Sequence, residues 1–142
     1  METQTAHFLL NPLPLSVSAV SLALASPDAG GHVIFTGVVR SHNKDRQVLH
    51  LEFDAYAPMV YAELTRIATA LRERWQVHHV VLHHRTGTVN AGETAVIAAV
   101  SATHRKPAFE SCQFLMDELK RSVPIWKKEV YADGSHWVSP TP

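Results

Sequence analysis

One cysteine, Cys112, stands in the whole of the 142-residue sequence. That excludes an intrachain disulfide framework and points to a reducing, intracellular setting. Charge of neither sign is in surplus, with 13 lysines and arginines against 13 acids. Affinity for a phosphate backbone comes mainly from a surplus of cations, so the balance argues against a nucleic-acid partner. Long hydrophobic runs are missing too. Residues 9–25 are apolar, but Pro12 and Pro14 interrupt them, Pro27 follows, and no basic stretch precedes them. They read as part of the fold rather than as a membrane anchor or leader, and a cytoplasmic location without a membrane partner is expected.

What is present is the composition of a folded protein, 46% hydrophobic and 18% charged. At this length a single domain over residues 1–142 is expected, able to bury about two-thirds of its unfolded surface. No repeat or linker divides it. The hydrophobic pattern alternates between periods of two and 3.6, which predicts a mixed α and β chain.

After a short apolar stretch at 13–17, residues 18–25 predict a brief helix, closed by turn signals at Pro27-Asp28 and Gly30-Gly31. Residues 32–40 (HVIFTGVVR) read as a strand, 41–46 as a polar loop, and 47–55 (QVLHLEFDA) as a second strand with Val48, Leu49, Leu51 and Phe53 on its apolar side. From about Pro58 the period changes. Val60, Leu64, Ile67, Leu71 and Trp75 form the stripe of an amphipathic helix. Strands at 77–85 and 94–102 follow, joined around Gly87 and Ala91-Gly92. A second long helix is expected to begin near Pro107, a residue suited to a first helical position. Its stripe is read as Phe109, Cys112, Met116, Leu119 and Val123, with Pro124 as its stop. Residues 125–131 and 136–138, around Asp133-Gly134, predict a closing hairpin. Runs of strands broken by two main helices favour α+β, with mixed, mostly antiparallel strands, over a doubly wound parallel sheet.

Ten histidines raise the question of a metal. The densest group, His78, His79, His83 and His84, falls in VHHVVLHH. On a strand, residues four apart are separated by about 13 Å and neighbours point to opposite faces, so these cannot share one ion. No HExxH or paired CxxC spacing occurs. Surface or partner-facing histidines are the reading, with no metal site. Cys112 lies on the apolar stripe of its helix, where a thiol behaves as a small hydrophobe rather than a nucleophile.

The basic residues carry more. His104, Arg105 and Lys106 sit where a strand hands over to a helix, whose first N–H groups add to their charge and suit a phosphate or carboxylate. Lys120 and Arg121 close the same helix. Lys127 and Lys128 follow Trp126 on a strand, so one can line a pocket while the other meets solvent. A lysine near other cations, or partly desolvated, becomes usable as an acid, base or nucleophile. Arg40, at the end of its strand, supplies a further fork for an anion.

These blocks have a known counterpart. GHVIFTGVVR from Gly31, LEFDAYAPM from Leu51, HRTGTVNAGETAV from His84, SATHRKPAFESCQFLMDELK from Ser101, VPIWKKE from Val123 and DGSHWV from Asp133 together resemble the large, catalytic subunit of molybdopterin synthase, the MoaE family. The resemblance implies an α/β hammerhead fold and a sulfurtransferase. Such an enzyme takes sulfur from the C-terminal Gly-Gly thiocarboxylate of a small ubiquitin-like subunit. It places that sulfur on cyclic pyranopterin monophosphate, making the dithiolene of molybdopterin. It further implies a homodimer of large subunits within a heterotetramer, and no metal or cofactor of its own. Carried over by motif, the substrate-binding positions are Val38, Val39, Arg40, His104, Arg105, Lys120, Lys127, Lys128 and Glu129, with Lys120 and Lys127 catalytic. Where relatives often have a basic residue, Val38 offers only its backbone.

One geometric step needs no family. Pro107 and Lys120 are thirteen residues apart on one helix, hence roughly 20 Å along its axis, too far for a small pterin to touch both ends. A pocket that uses both ends therefore combines His104 and Arg105 of one protomer with Lys120 and Lys127 of another. Glu63, Glu73 and Glu93 fall on helix surface and turn, so a neutral total is compatible with one cationic pocket. The alternative in a different class is a non-catalytic anion- or nucleotide-binding module. A structural subunit with Trp126 and Trp137 at an interface is compatible with either.

Overall fold

The computed structural model describes residues 5–139. In chain order its elements are β1 (Thr5–Asn11), α1 (Val17–Ala23), β2 (Gly31–Val38), β3 (His42–Asn43), β4 (Arg46–Ala55), α2 (Ala57–Arg74), β5 (Val77–Arg85), β6 (Gly87–Asn90), β7 (Thr94–Ala102), α3 (Arg105–Ser122), β8 (Ile125–Tyr131) and β9 (His136–Val138). Two sheets result. The first has the order β1-β5-β7-β2; the second runs β3-β4-β8-β9, with β6 also pairing β4. All pairs are antiparallel except β1 with β5. The class is α+β, as the pattern of strands and two main helices predicts.

Strand β7 is the spine of the first sheet. Seven of its nine side chains are Ala, Val or Ile, and every residue after Thr94 is buried. Val96, Ala98, Val100 and Ala102 face a core shared with α2 and α3, whereas Ile97 and Ala99 pack with Val81 against Val20 and Leu24 of α1. Small residues on the helix side let α3 come close: the Cys112 thiol lies 3.5 Å from the Ala98 carbonyl.

Helix α2 buries Val60, Leu64, Ile67, Ala68 and Leu71, the stripe that the spacing predicts. Pro58 sits in its first turn, where its missing N–H would have had no intrahelical partner. The short α1 begins one residue earlier than predicted. Its start is set by Ser16, which accepts a hydrogen bond from the Ala19 N–H at 3.1 Å, an N-cap that satisfies an otherwise orphaned donor.

Several boundaries and faces differ from expectation. Strand β1 was not anticipated; Phe8 and Leu10 pack on the main core, and the strand lies parallel to β5. The expected loop at 41–46 contains the short strand β3, folded back on β4 with Lys44 in the left-handed region (φ 56°). In β4, Val48 and Leu51 are buried but Leu49 is exposed. A register shift between Val48 and His50 breaks strict alternation there. Helix α3 starts at Arg105, so Pro107 is its third residue, which the first turn tolerates. Its buried stripe is Ala108, Ser111, Cys112, Leu115 and Leu119; Phe109 is 63% exposed and does not belong to it.

Leu115, fully buried between α3 and the sheet, gives a direct test of this packing. Leu115→Ala is expected to lose about 2–5 kcal/mol in urea denaturation, the range for emptying a core leucine site. Leu22→Ser, at an exposed position on α1, should stay within about 0.5 kcal/mol of the parent.

Candidate functional site

The two sheets and the C-terminal half of α3 enclose a cleft of about 310 Å³. Met116, Leu119 and Lys120 enter from α3, Lys127 and Ile125 from β8, and Leu51 and Phe53 from β4. The first sheet contributes Gly37 and Val38 of β2, His84 of β5, and Ala95 and Val96 of β7. Gly37 and Val38 are consecutive yet line the same cleft, because the ladder with β7 shifts register between them. Gly37 itself is needed for space: a Cβ there would lie 2.6 Å from the Val96 Cγ1.

The cleft thus joins two of the predicted cations, Lys120 and Lys127, from separate elements and with apolar walls. Both lysines are exposed at the cleft, beside walls that are mostly apolar. Lys127 also borders a second depression with Trp126, Lys128, Glu52 and Asp54. Along β8 the Lys128 side chain is half-buried and lines that second surface beside Lys127, so the two neighbours do not divide between pocket and solvent as strict alternation predicts.

The remaining predicted residues lie elsewhere. His104 is the N-cap of α3 and Arg105 its first residue, both exposed and roughly 22 Å along the helix from Lys120. One chain does not bring the two ends together. Arg40 is exposed just beyond β2. Val39 is buried with Val48, Leu51, Val89 and Tyr131, and its N–H and C=O are engaged by Glu93 and Gly92 at 2.9 and 2.8 Å. Glu129 is buried, accepting from the Asn43 Nδ2 at 2.9 Å and the Tyr131 hydroxyl at 2.7 Å. Proximity to that carboxylate pushes the Tyr131 phenol up. Val39 and Glu129 therefore hold the frame of the second sheet, and neither opens onto the dilysine cleft.

His84 is the residue that sequence reading missed. Grouped with its neighbours as a surface histidine, it is in fact buried at 6% exposure on the cleft floor. The signal was available: Val80, Leu82 and His84 alternate on the core face of β5. Its ring meets Phe53 edge-on at 4.9 Å, and its Nδ1 lies 2.7 Å from the Arg85 carbonyl. A carbonyl only accepts, so Nδ1 carries the proton and Nε2 is left as an acceptor. Burial pushes the imidazole down, partly offset by the Arg85 hydrogen bond. Arg85 itself turns away, donating to the Pro12 and Thr88 carbonyls at 3.1 and 3.2 Å.

Among the described residues no group of three or more His, Cys, Asp or Glu side chains is placed to hold a metal ion, and no helix is long and apolar enough to cross a membrane. Fold and cleft together define an α+β protein with paired lysines in a largely apolar recess. The family model described as MoaE protein matches residues 10–122, and the chain belongs to that family. It is 45% identical over 114 residues to the molybdopterin synthase catalytic subunit of Arabidopsis thaliana, covering 80% of this chain and 58% of that protein. It is 41% identical over 133 residues to the molybdopterin synthase catalytic subunit 1 of Mycobacterium tuberculosis, covering 94% and 90%. The chain thus spans less than two-thirds of the plant relative but most of the mycobacterial one. A crystal structure of molybdopterin synthase from Staphylococcus aureus superposes with a TM-score of 0.88 at 31% identity, covering 93% of this chain and 96% of that one.

Cys112 supplies a test of which groups are chemically available. Burial pushes its thiol up to about 11, so the reactive thiolate is scarce at neutral pH. In the native protein at pH 8, the thiol should react with a disulfide reagent at least about a hundredfold more slowly than after unfolding in guanidinium. A native rate equal to the unfolded one would place the thiol in solvent.

Proposed function

We propose that the chain is the catalytic subunit of a molybdopterin synthase, transferring sulfur from the C-terminal thiocarboxylate of a small ubiquitin-like carrier to cyclic pyranopterin monophosphate in the cytoplasm. The observation that carries this reading is the convergence of Lys120 and Lys127 on one apolar-walled cleft, in a chain of this family.

The chemistry follows from balance. The thiocarboxylate sulfur attacks a pterin side-chain carbon, forming a carbon–sulfur bond as a carbon–oxygen bond at that carbon breaks and its oxygen leaves, while the sulfur is still joined to the carrier's acyl carbon. Water must then cleave that acyl thioester. An oxygen–carbon bond forms, the acyl carbon–sulfur bond breaks, the carrier leaves as a carboxylate and the sulfur stays on the pterin as a thiolate. Both steps gather negative charge at sulfur and at the carbonyl oxygen. Fixed ammonium groups stabilise such charge as it develops. Lys120 and Lys127 do this work, with Val38 at the cleft wall, while Arg40, His104 and Arg105 hold the phosphate. Lys128 and Trp126 border the adjoining surface that receives the carrier's tail.

On this reading, because α3 keeps its two ends far apart, His104 and Arg105 serve a cleft other than their own chain's. A homodimer meets that need, and an apolar face supports one. β2 is an edge strand, and Phe35 and Phe109 are exposed beside it, lining with Met116 a depression that ends at Lys120. Exposed aromatics next to an unpaired edge favour association.

Incubation with cyclic pyranopterin monophosphate and a thiocarboxylated carrier should yield dithiolene product, and no product where a known synthase works would reject the assignment. Lys120→Ala should lower kcat about 10²–10³-fold with substrate still bound; weakened binding alone would favour an anion-binding module. Separately inactive His104→Ala and Lys120→Ala chains, once subunits exchange, should recover about a quarter of wild-type activity. Half the dimers are then hybrids with one intact site of two. A dead mixture despite exchange would refute the shared pocket.

A further inference from the structure

The proposed reaction needs a proton acceptor that the lysines do not provide, and this inference rests on that reading. A charged ammonium has three donors and no acceptor. Glu129, the nearest predicted carboxylate in sequence, is tied to Asn43 and Tyr131 and does not line the cleft. His84 does line it, and its Nε2 has no protein partner among the described residues. We propose that His84 is the general base of the hydrolytic half of the reaction, its Nε2 taking a proton from the water that attacks the acyl thioester.

The geometry is that of an imidazole held for this role. The hydrogen bond from Nδ1 to the Arg85 carbonyl fixes both tautomer and ring plane, and the Phe53 edge contact limits rotation. Val96 and Gly37, the register neighbours of His84 across β7 and β2, present no side-chain polar group to compete for Nε2. The titratable groups that face the ring across the cleft are Lys120 from α3 and Lys127 from β8; β2, β4 and β7 contribute none to the lining. Burial disfavours a resting imidazolium and outweighs the hydrogen bond to Arg85, so the base is free at neutral pH. As water attacks, its proton moves to Nε2. The tetrahedral intermediate then collapses to the carrier's carboxylic acid and the pterin thiolate, and the imidazolium returns its proton to solvent or to that thiolate. No oxidant or further reactant is required.

The sign of the pH dependence follows. A base whose pKa is lowered is lost only on acidification, so kcat should fall as pH drops below the usual histidine range. H84Q should lower kcat about 100-fold, remove that acid limb and change KM little. With cleavage slowed but sulfur attack intact, H84Q should also accumulate carrier with the mass of the pterin added, seen by mass spectrometry and released by neutral hydroxylamine. Imidazole added to H84A should restore part of the rate. A folded H84Q with wild-type kcat, an unchanged pH profile and no adduct would overturn the role of His84 while leaving the synthase assignment standing. If H84Q does not fold, a wild-type profile without an acid limb overturns it equally. A wild-type chain that makes no dithiolene overturns both.

Discussion

Burial of β7 on both faces is the constraint on which the rest of the structure depends. A one-residue slip would send every side chain to the opposite face, and β7 must match α2 and α3 on one face and α1 on the other, so its register is strongly specified. Its side chains are small where α3 approaches, and the Cys112 thiol against the Ala98 carbonyl marks how close that approach is. Helix α3 is thereby pinned along its length. Its last turn presents Met116, Leu119 and Lys120 to the gap between the sheets, and its first residues emerge far away. The separation of His104 from Lys120 is a consequence of one continuous, well-packed helix.

The same constraint shapes the cleft. The register of β2 against β7 shifts between Gly37 and Val38, and both residues line the cleft. Val96 occupies the space that a side chain at position 37 would need. His84, register partner of Val96, is held at the floor by the strand that carries it rather than by a loop. Cations reach in from α3 and β8, the rigid elements on either side. Charged groups positioned by packed elements lose little entropy when a ligand arrives, the usual basis of preorganised electrostatic stabilisation.

Much of this was legible in the sequence because it followed from period. Strands β5 and β7 and the hairpin of β8 and β9 match their predicted limits, as does the buried stripe of α2. Departures arise where a local rule was overridden by pairing. Leu49 and Val38 fall beside register shifts, which alternation alone does not reveal. Phe109 kept helical spacing with Cys112 but sits one step around the helix from the stripe that Ala108 and Leu115 define; small residues at 108 and 111 made that stripe look less apolar than it is. His84 was missed because four histidines in one strand were weighed as a group, although strand geometry sends alternate members to opposite faces. Lys120 and Lys127 were legible as cations, and their convergence depended on the turn at Val123 and Pro124 that returns β8 alongside the end of α3.

Charge neutrality overall and cation density locally are compatible because the acids are occupied elsewhere. Glu63 is held by Arg66 through paired hydrogen bonds at 2.7 and 2.9 Å, and Glu118 by Arg121 at 2.6 Å. Those arginines depress both carboxyls, Glu63 to about 2. Glu93 accepts from the Asn90 N–H at a turn, and Glu129 is enclosed in the second sheet. None of these carboxylates lines the dilysine cleft. On the proposed reaction the lysines there keep their donors for an incoming anion, and an acceptor in the same cleft comes from a neutral group. A neutral imidazole fulfils both conditions, since it accepts a proton without pairing with the lysines in the resting state.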